Sequence, residues 1–304
     1  MPGLREGLFF DDVMLLPRRS EVGASDVSLE SRLSTNVVLR SPFVTSARQP
    51  AADYRLASTV ARAGGIGIIP LFGSVEDQAH EVRKVKELMC KDDGAACDLK
   101  GRPVVGALVD LERGSVLEWI GSLAEVWTDI IVVDVPHADR LTILRQIQVV
   151  KTEYDWLPLM VGNVQTRAGA KDVIDAGADV VVVGSGFSSF AEATELSGVG
   201  VPELSALMEV EDVASLYGRP IICNMGVRFA ATVVKALAAG AAAVVLNTLM
   251  PDTASQVMAH VATQVRESLS YVGAHSIAEL REKAEFIRIH ALSDSTSPQQ
   301  CQTP

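Results

Sequence analysis

Residues 176–186 read AGADVVVVGSG. A helix end, a glycine able to take positive φ, and an unbroken β-branched run describe a parallel strand buried on both faces. The closing Gly184-Ser185-Gly186 reads as a phosphate-sized loop. The same design recurs in residues 63–69, AGGIGII, and residues 239–245, AGAAAVV. Recurrence of one helix-glycine-strand unit argues for repeated β-α units and a parallel sheet closed on itself. Further strands are expected at residues 41–47, 104–110, 130–134, 157–161 and 220–223. With the three repeat strands the set suffices for an α/β fold of the (β/α)8 TIM-barrel type, which takes roughly 250 residues. The chain has 304 residues, so one barrel domain is the expectation. Residues 1–40 form an N-terminal extension, with short strands expected within 27–39. The tail 293–304 is polar without an apolar period and is expected to be disordered.

Composition narrows the function classes. The formal net charge is −11 and no basic stripe appears, which argues against nucleic acid and anionic membrane surfaces as partners. No apolar run reaches the roughly 20 residues of a membrane span. The opening MPGLREGLFFDD lacks the basic and apolar regions of a secretory signal, so a cytoplasmic protein is expected. Cys90, Cys97, Cys223 and Cys301 match no zinc spacing, and no metal is expected. Cys90 and Cys97 share a polar loop and can pair under oxidation; free thiols are the expectation for a cytoplasmic chain. Ser74 with Asp77, and Ser276 with Glu279, have the spacing of helix-opening capping boxes.

Three stretches resemble the IMP dehydrogenase/GMP reductase family. Residues 8–17, LFFDDVMLLP, resemble its opening segment; residues 162–164 match its Gly-Asn-Val. The frame V-G-x-G-x-x-S from Val183, followed downstream by Gly198-Val199-Gly200-Val201-Pro202, resembles its active-site loop. The resemblance covers the chain from Leu8 to about Arg288 and implies a purine-nucleotide substrate, NAD or NADP as cofactor and a homotetramer. It also locates departures. The position of the family's nucleophilic cysteine holds Ala191, and that of its catalytic threonine holds Ala193. Arg48-Gln49-Pro50 stands where the family continues with Met-Asp-Thr after the first barrel strand. Only a short link, residues 87–99, stands where the dehydrogenases insert regulatory nucleotide-binding modules. The mobile flap after the eighth strand is missing: Asn247 to Asp252 runs almost directly into a helical stretch.

Carried over residue by residue, the resemblance implies cofactor contacts at Asp134 and Asn163, and phosphate or substrate contacts at Ser189, Asn224, Gly226 and Thr248. Some have a plainer alternative. Asp134 suits a helix N-cap, Asn163 suits loop backbone, and a Gly-Ser-Gly loop alone is weak evidence for phosphate. Asn224-Met225 replaces the family's Asp-Gly, so a ribose meets an amide instead of a carboxylate, and Met225 is expected to block a close approach. With the cysteine gone, replacement catalytic groups are sought in His137, Glu192 and Cys223. A solvated loop carboxylate and a small buried thiol are the ordinary readings of the last two. Two function classes follow. One is a diverged oxidoreductase moving hydride between a purine nucleotide and NAD(P)(H) without a cysteine adduct. The other is a catalytically inactive nucleotide-binding barrel with a regulatory or assembly role. A flavin-binding barrel holding FMN is a third reading.

Overall fold

The computed structural model describes residues 3–49, 52–71, 73–185, 192, 195–225, 227, 229–247 and 249–289. Eight parallel strands form one sheet in the spatial order β4-β11-β10-β9-β8-β7-β6-β5. They are β4 (Phe43–Thr45), β5 (Gly67–Ile69), β6 (Val105–Leu108), β7 (Ile130–Asp134), β8 (Leu159–Val164), β9 (Val180–Val183), β10 (Ile221–Cys223) and β11 (Ala243–Leu246). A parallel bridge between Val44 and Ile66 brings the two edges together, so the sheet is a nearly closed barrel. Each expected barrel strand is present, displaced at its ends by a residue or a few. The repeated glycine performs as its sequence position requires. Gly64, Gly177 and Gly240 adopt φ of +90°, +120° and +108°, and at Gly177 a Cβ would lie 2.7 Å from Lys151 Cγ. A side chain there meets both left-handed strain and a clash.

Alternation along the strands sorts the core into two layers. Val44, Ile66, Ile68, Val132, Met160, Val180, Val182, Ile222 and Val245 fill the barrel interior. Phe43, Val105, Val133, Val181, Val183, Ile221, Cys223 and Val244 face the helices. Those helices are α1 (Tyr54–Arg62), α2 (Val75–Lys86), α3 (Val116–Glu125), α4 (Leu141–Glu153), α5 (Arg167–Ala176), α6 (Glu203–Ala214), α7 (Ala230–Ala238), α8 (Ala254–Val272) and α9 (Ile277–Lys283). Ser74 and Asp77 close the capping box at the start of α2. At α9 only half the expected box forms. Ser276 accepts from the Glu279 amide, but the Glu279 carboxylate reaches His275 N instead of the cap residue.

The N-terminal extension packs onto the barrel. A hairpin of β2 (Ser31–Arg32) and β3 (Val38–Leu39) places Leu33, Val37 and Leu39 in the interior cluster and so plugs the end where the strands begin. Strand β1 (Val13–Leu15) pairs antiparallel with β12 (Phe286–Arg288), tying the two chain ends together. A cleft of about 740 Å³ opens at the hairpin end, lined by Arg32, Trp156, Asp179, Glu211, Arg219 and Arg281 among others. Burial pushes the Glu211 carboxyl up to about 7, against the opposing field of Arg281. This cleft lies at the face opposite the one where barrel chemistry is built.

The link after α2 is more ordered than its polar sequence implies. Its amide at Ala96 donates to Ala61 O at 2.8 Å, and that at Cys90 to Gly101 O at 2.8 Å. Cys90 and Cys97, expected as free thiols, are joined by a disulfide with Cα atoms 6.5 Å apart. The turn between them places the two side chains within bridging distance, which sequence spacing alone does not reveal. Beneath it Lys86, only 1% exposed at its side chain, lies 2.6 Å from Asp129 and 3.2 Å from Asp98, and donates to Pro103 O at 3.0 Å.

Candidate functional site

The C-terminal ends of the strands carry a connected polar row. Asp134 is the last residue of β7, and α4 begins later with Arg140 at its N-cap, so capping does not explain the aspartate. Its side chain is 9% exposed. Both carboxylate oxygens are engaged: Asn163 Nδ2 donates to Oδ1 at 2.6 Å, and Arg48 Nε donates to Oδ2 at 3.0 Å. Arg48 Nη2 also donates to the Asp134 backbone oxygen at 2.8 Å. Hydrogen bonds to ionised partners of this kind are about twice as strong as neutral ones.

Asn163 sits within β8, 1% exposed, where the register of the β8–β9 ladder shifts. Its amide donates to Val135 O at 2.7 Å, and its carbonyl accepts from Ala138 N at 3.0 Å. A buried amide needs such partners, and the Nδ2 bonds to Asp134 Oδ1 and Val135 O fix the side chain against the end of β7. Asn163 Oδ1 accepts from Asn224 Nδ2 at 3.1 Å, extending the row to the end of β10. Gly184 makes this crossing possible. A Cβ on it would lie 2.2 Å from Asn163 Oδ1 and 2.9 Å from Asn224 O. The first glycine of the Gly-Ser-Gly loop therefore has a packing reason of its own, apart from any phosphate.

The loop after β4 clamps the mouth on two sides. Arg48 reaches β7, while Gln49 Nε2 donates to the Leu249 carbonyl after β11. Gln49 Oε1 is buried and has no hydrogen-bond partner among the described residues. Neither residue is marked by the sequence as part of the site. The available signal was the position of Arg48-Gln49-Pro50 at a barrel strand's C-terminal end.

The structure brings Asp134, Asn163 and Asn224 together. Two of the sought catalytic groups have other surroundings. His137 is 68% exposed at its side chain, with Nδ1 2.9 Å from Asp139 Oδ1. Cys223 is fully buried on the helix side of β10, and burial pushes its thiol up to about 12. The outward turn follows from alternation, because Ile222 takes the interior position. Glu192 is half-buried. Met225, expected to block the mouth, is instead 6% exposed in the outer core, lining a small cleft with Phe9, Phe10 and Glu203. Ser189, Ala191, Ala193, Gly226 and Thr248 lie outside the described residues. Among the described residues no helix is long and apolar enough to cross a membrane.

Fold and site together define an α/β barrel whose C-terminal mouth carries a hydrogen-bonded carboxylate-amide row, the usual place for ligand chemistry in this architecture. The family follows from comparison. Residues 7–256 match the model of the IMP dehydrogenase / GMP reductase domain. The inosine-5'-monophosphate dehydrogenase of Borreliella burgdorferi is 34% identical over 286 residues, covering 82% of this chain and 70% of that protein. That of Cryptosporidium parvum is 34% identical over 278 residues, covering 82% and 68%. A more distant relative from Aquifex aeolicus, of the same name, is 28% identical over 365 residues. The chain belongs to the IMP dehydrogenase/GMP reductase family, a family of purine-nucleotide oxidoreductase type.

A nicotinamide dinucleotide, the cofactor that the resemblance implies at Asp134 and Asn163, does not fit the row as it stands. Arg48 lies across the solvent side of the Asp134 carboxylate, and both hydrogens of the Asn163 side-chain amide are taken, by Asp134 Oδ1 and Val135 O.

Proposed function

We propose that this protein binds a purine nucleoside monophosphate in the barrel mouth and does not carry out covalent thiol chemistry on it. The observation that carries this reading is the row Asp134–Asn163–Asn224, which presents polar groups across the mouth while the nearby thiol of Cys223 faces the helices. In this reading Asn224 meets the ribose, and Ser189, Gly226 and Thr248 hold the phosphate. Those three positions keep a hydroxyl or a glycine, whereas Ala191 and Ala193 offer nothing that attacks a base. The loops after the last two strands are a common phosphate site of barrels.

A ligand that binds only the folded state stabilises it by RT ln(1 + [L]/Kd), about 2.7 kcal/mol at a hundredfold excess over Kd. Nucleoside monophosphates are therefore expected to raise the melting temperature, and the matching nucleosides are not. Ser189→Ala should cut the shift. No monophosphate effect, or an equal effect from nucleosides, would overturn the phosphate site.

One observation favours a second reading, the diverged oxidoreductase. Asp134 and Asn163 are retained in the positions where the resemblance implies cofactor contacts, and in this reading a dinucleotide reaches them by displacing Arg48. Addition of NADPH to the monophosphate-bound protein separates the two: consumption of the reduced cofactor favours the enzyme, and stable binding without it favours the nucleotide-binding barrel. By resemblance the protein assembles as a homotetramer, closed symmetry being the general rule for oligomers. Light scattering at micromolar concentration should give a mass near four chains; a monomer throughout would reject the tetramer.

A further inference from the structure

We infer that Arg48 stands in the place at Asp134 that a nicotinamide dinucleotide would need, so that the mouth as built takes a phosphorylated mononucleotide and excludes the dinucleotide. This rests on the reading of the mouth as a nucleotide site. Two contacts hold Arg48 on Asp134, one to the carboxylate at 3.0 Å and one to the backbone oxygen at 2.8 Å. Asn163 takes the remaining carboxylate oxygen. With Arg48 52% exposed and Asp134 9% exposed, the guanidinium lies on the solvent side of the carboxylate and covers it.

The arginine is delivered by an anchored loop. Gln49 N donates to Ser46 O at 3.3 Å and Ala52 N to Gln49 O at 3.0 Å, while the Gln49 side chain is bonded across the mouth to Leu249 O. An uncharged hydroxyl or amide of a cofactor that takes the place of Arg48 has to break a charge-assisted contact and replace it with a neutral one, which is unfavourable. For a phosphate the balance is reversed. Arg48 neutralises Asp134, removing the like-charge repulsion. Its Nη1 group has no partner among the described residues and is available to an anion.

The test measures binding by titration calorimetry with NAD, NADH, NADP and NADPH, on wild type, Arg48→Ala and Arg48→Gln. Both variants are expected to bind at least one dinucleotide at least about tenfold more tightly than wild type. Adding Asp134→Asn to Arg48→Ala should remove that gain. Equal affinity in wild type and both variants, or no measurable binding in any of the three, would overturn the inference, because Arg48 would then not be what excludes the dinucleotide. Melting-temperature shifts with IMP and GMP run in parallel. Their absence in wild type defeats the nucleotide reading of the mouth, while the dinucleotide titration still decides the role of Arg48. The melting temperature of each variant without ligand shows whether it is folded, and Arg48→Gln keeps most of the side-chain volume should Arg48→Ala prove unstable.

Discussion

Incubated with IMP and NAD, or with GMP and NADPH, the protein is expected to leave the absorbance of the reduced cofactor unchanged. A residual rate at least about 10⁴-fold below that of a thiol-bearing relative is the expected ceiling, since loss of a nucleophile and its partners costs at least this much. The reasoning runs from residues to rate. By the resemblance Ala191 stands at the family's cysteine position, and alanine has no lone pair to offer. Cys223 is no substitute. It is fully buried on the outer face of β10, and its thiol is pushed up to about 12 by burial. Near neutral pH only about one part in 10⁴ to 10⁵ of such a thiol is thiolate, the form that attacks. Cys223→Ser should therefore change neither the blank rate nor monophosphate binding. Placing a cysteine there alone, as Ala191→Cys, should not recover turnover, because the resemblance implies that the threonine position, Ala193, and the flap would still be wanting. Turnover near family rates in the unmodified protein would defeat this reading.

Replacement of Lys86 by methionine should destabilise the protein by about 3–5 kcal/mol, the range found when one partner of a buried ion pair is removed. Lys86 is among the most deeply buried charges in the molecule. Its ammonium group bridges Asp98 of the link and Asp129 ahead of β7. Without it two carboxylates share a poorly solvated space. Burial already raises the Asp129 carboxyl, and Lys86 is the chief opposing influence, so its loss raises that group further. The pH dependence follows. A carboxyl whose folded value is raised costs stability once pH exceeds its unfolded value, and the cost is relieved at lower pH as the folded state takes up the proton. The loss in Lys86→Met should thus be largest near neutral pH and shrink on acidification. Asp98 contributes in the opposite sense. Its carboxyl is held down by the Arg102 backbone, Lys86 and Arg102 against the raising effect of burial, so its stabilisation is lost as pH falls through its folded value. Adding Asp129→Asn to Lys86→Met should recover part of the loss. Urea unfolding at pH 5 and pH 7.5 reads the loss in Lys86→Met and its recovery by Asp129→Asn; the Asp98 contribution changes only at lower pH. A loss under about 1 kcal/mol at neutral pH would mean that water reaches the pair.

Much of the site's scaffold is legible in the sequence. Asp134, Asn163 and Asn224 were located as strand-end residues, and all three meet at the mouth. Arg48 and Gln49 were not read as site residues, because in sequence they are only a departure from a pattern. Their partners, Asp134 and Leu249, come from distant points in the chain. Hydrogen bonds between loops so far apart are set by barrel closure, which no local spacing encodes.

The sequence by itself determined the repeated unit. Three glycines followed by β-branched runs require a helix end, a left-handed residue and a buried strand, and barrel closure satisfies them all at once. It determined the absence of a cysteine at residue 191 as well. Only the tertiary structure decided which way Cys223 faces, since strand alternation needs a fixed phase, and that phase is set by Ile222 entering the barrel. Only the tertiary structure joined Cys90 to Cys97, because the turn between them brings the side chains together. The occupation of Asp134 is likewise a tertiary fact. A carboxylate at a strand end reads as open to a ligand until the loop from another strand is seen to cover it with an arginine.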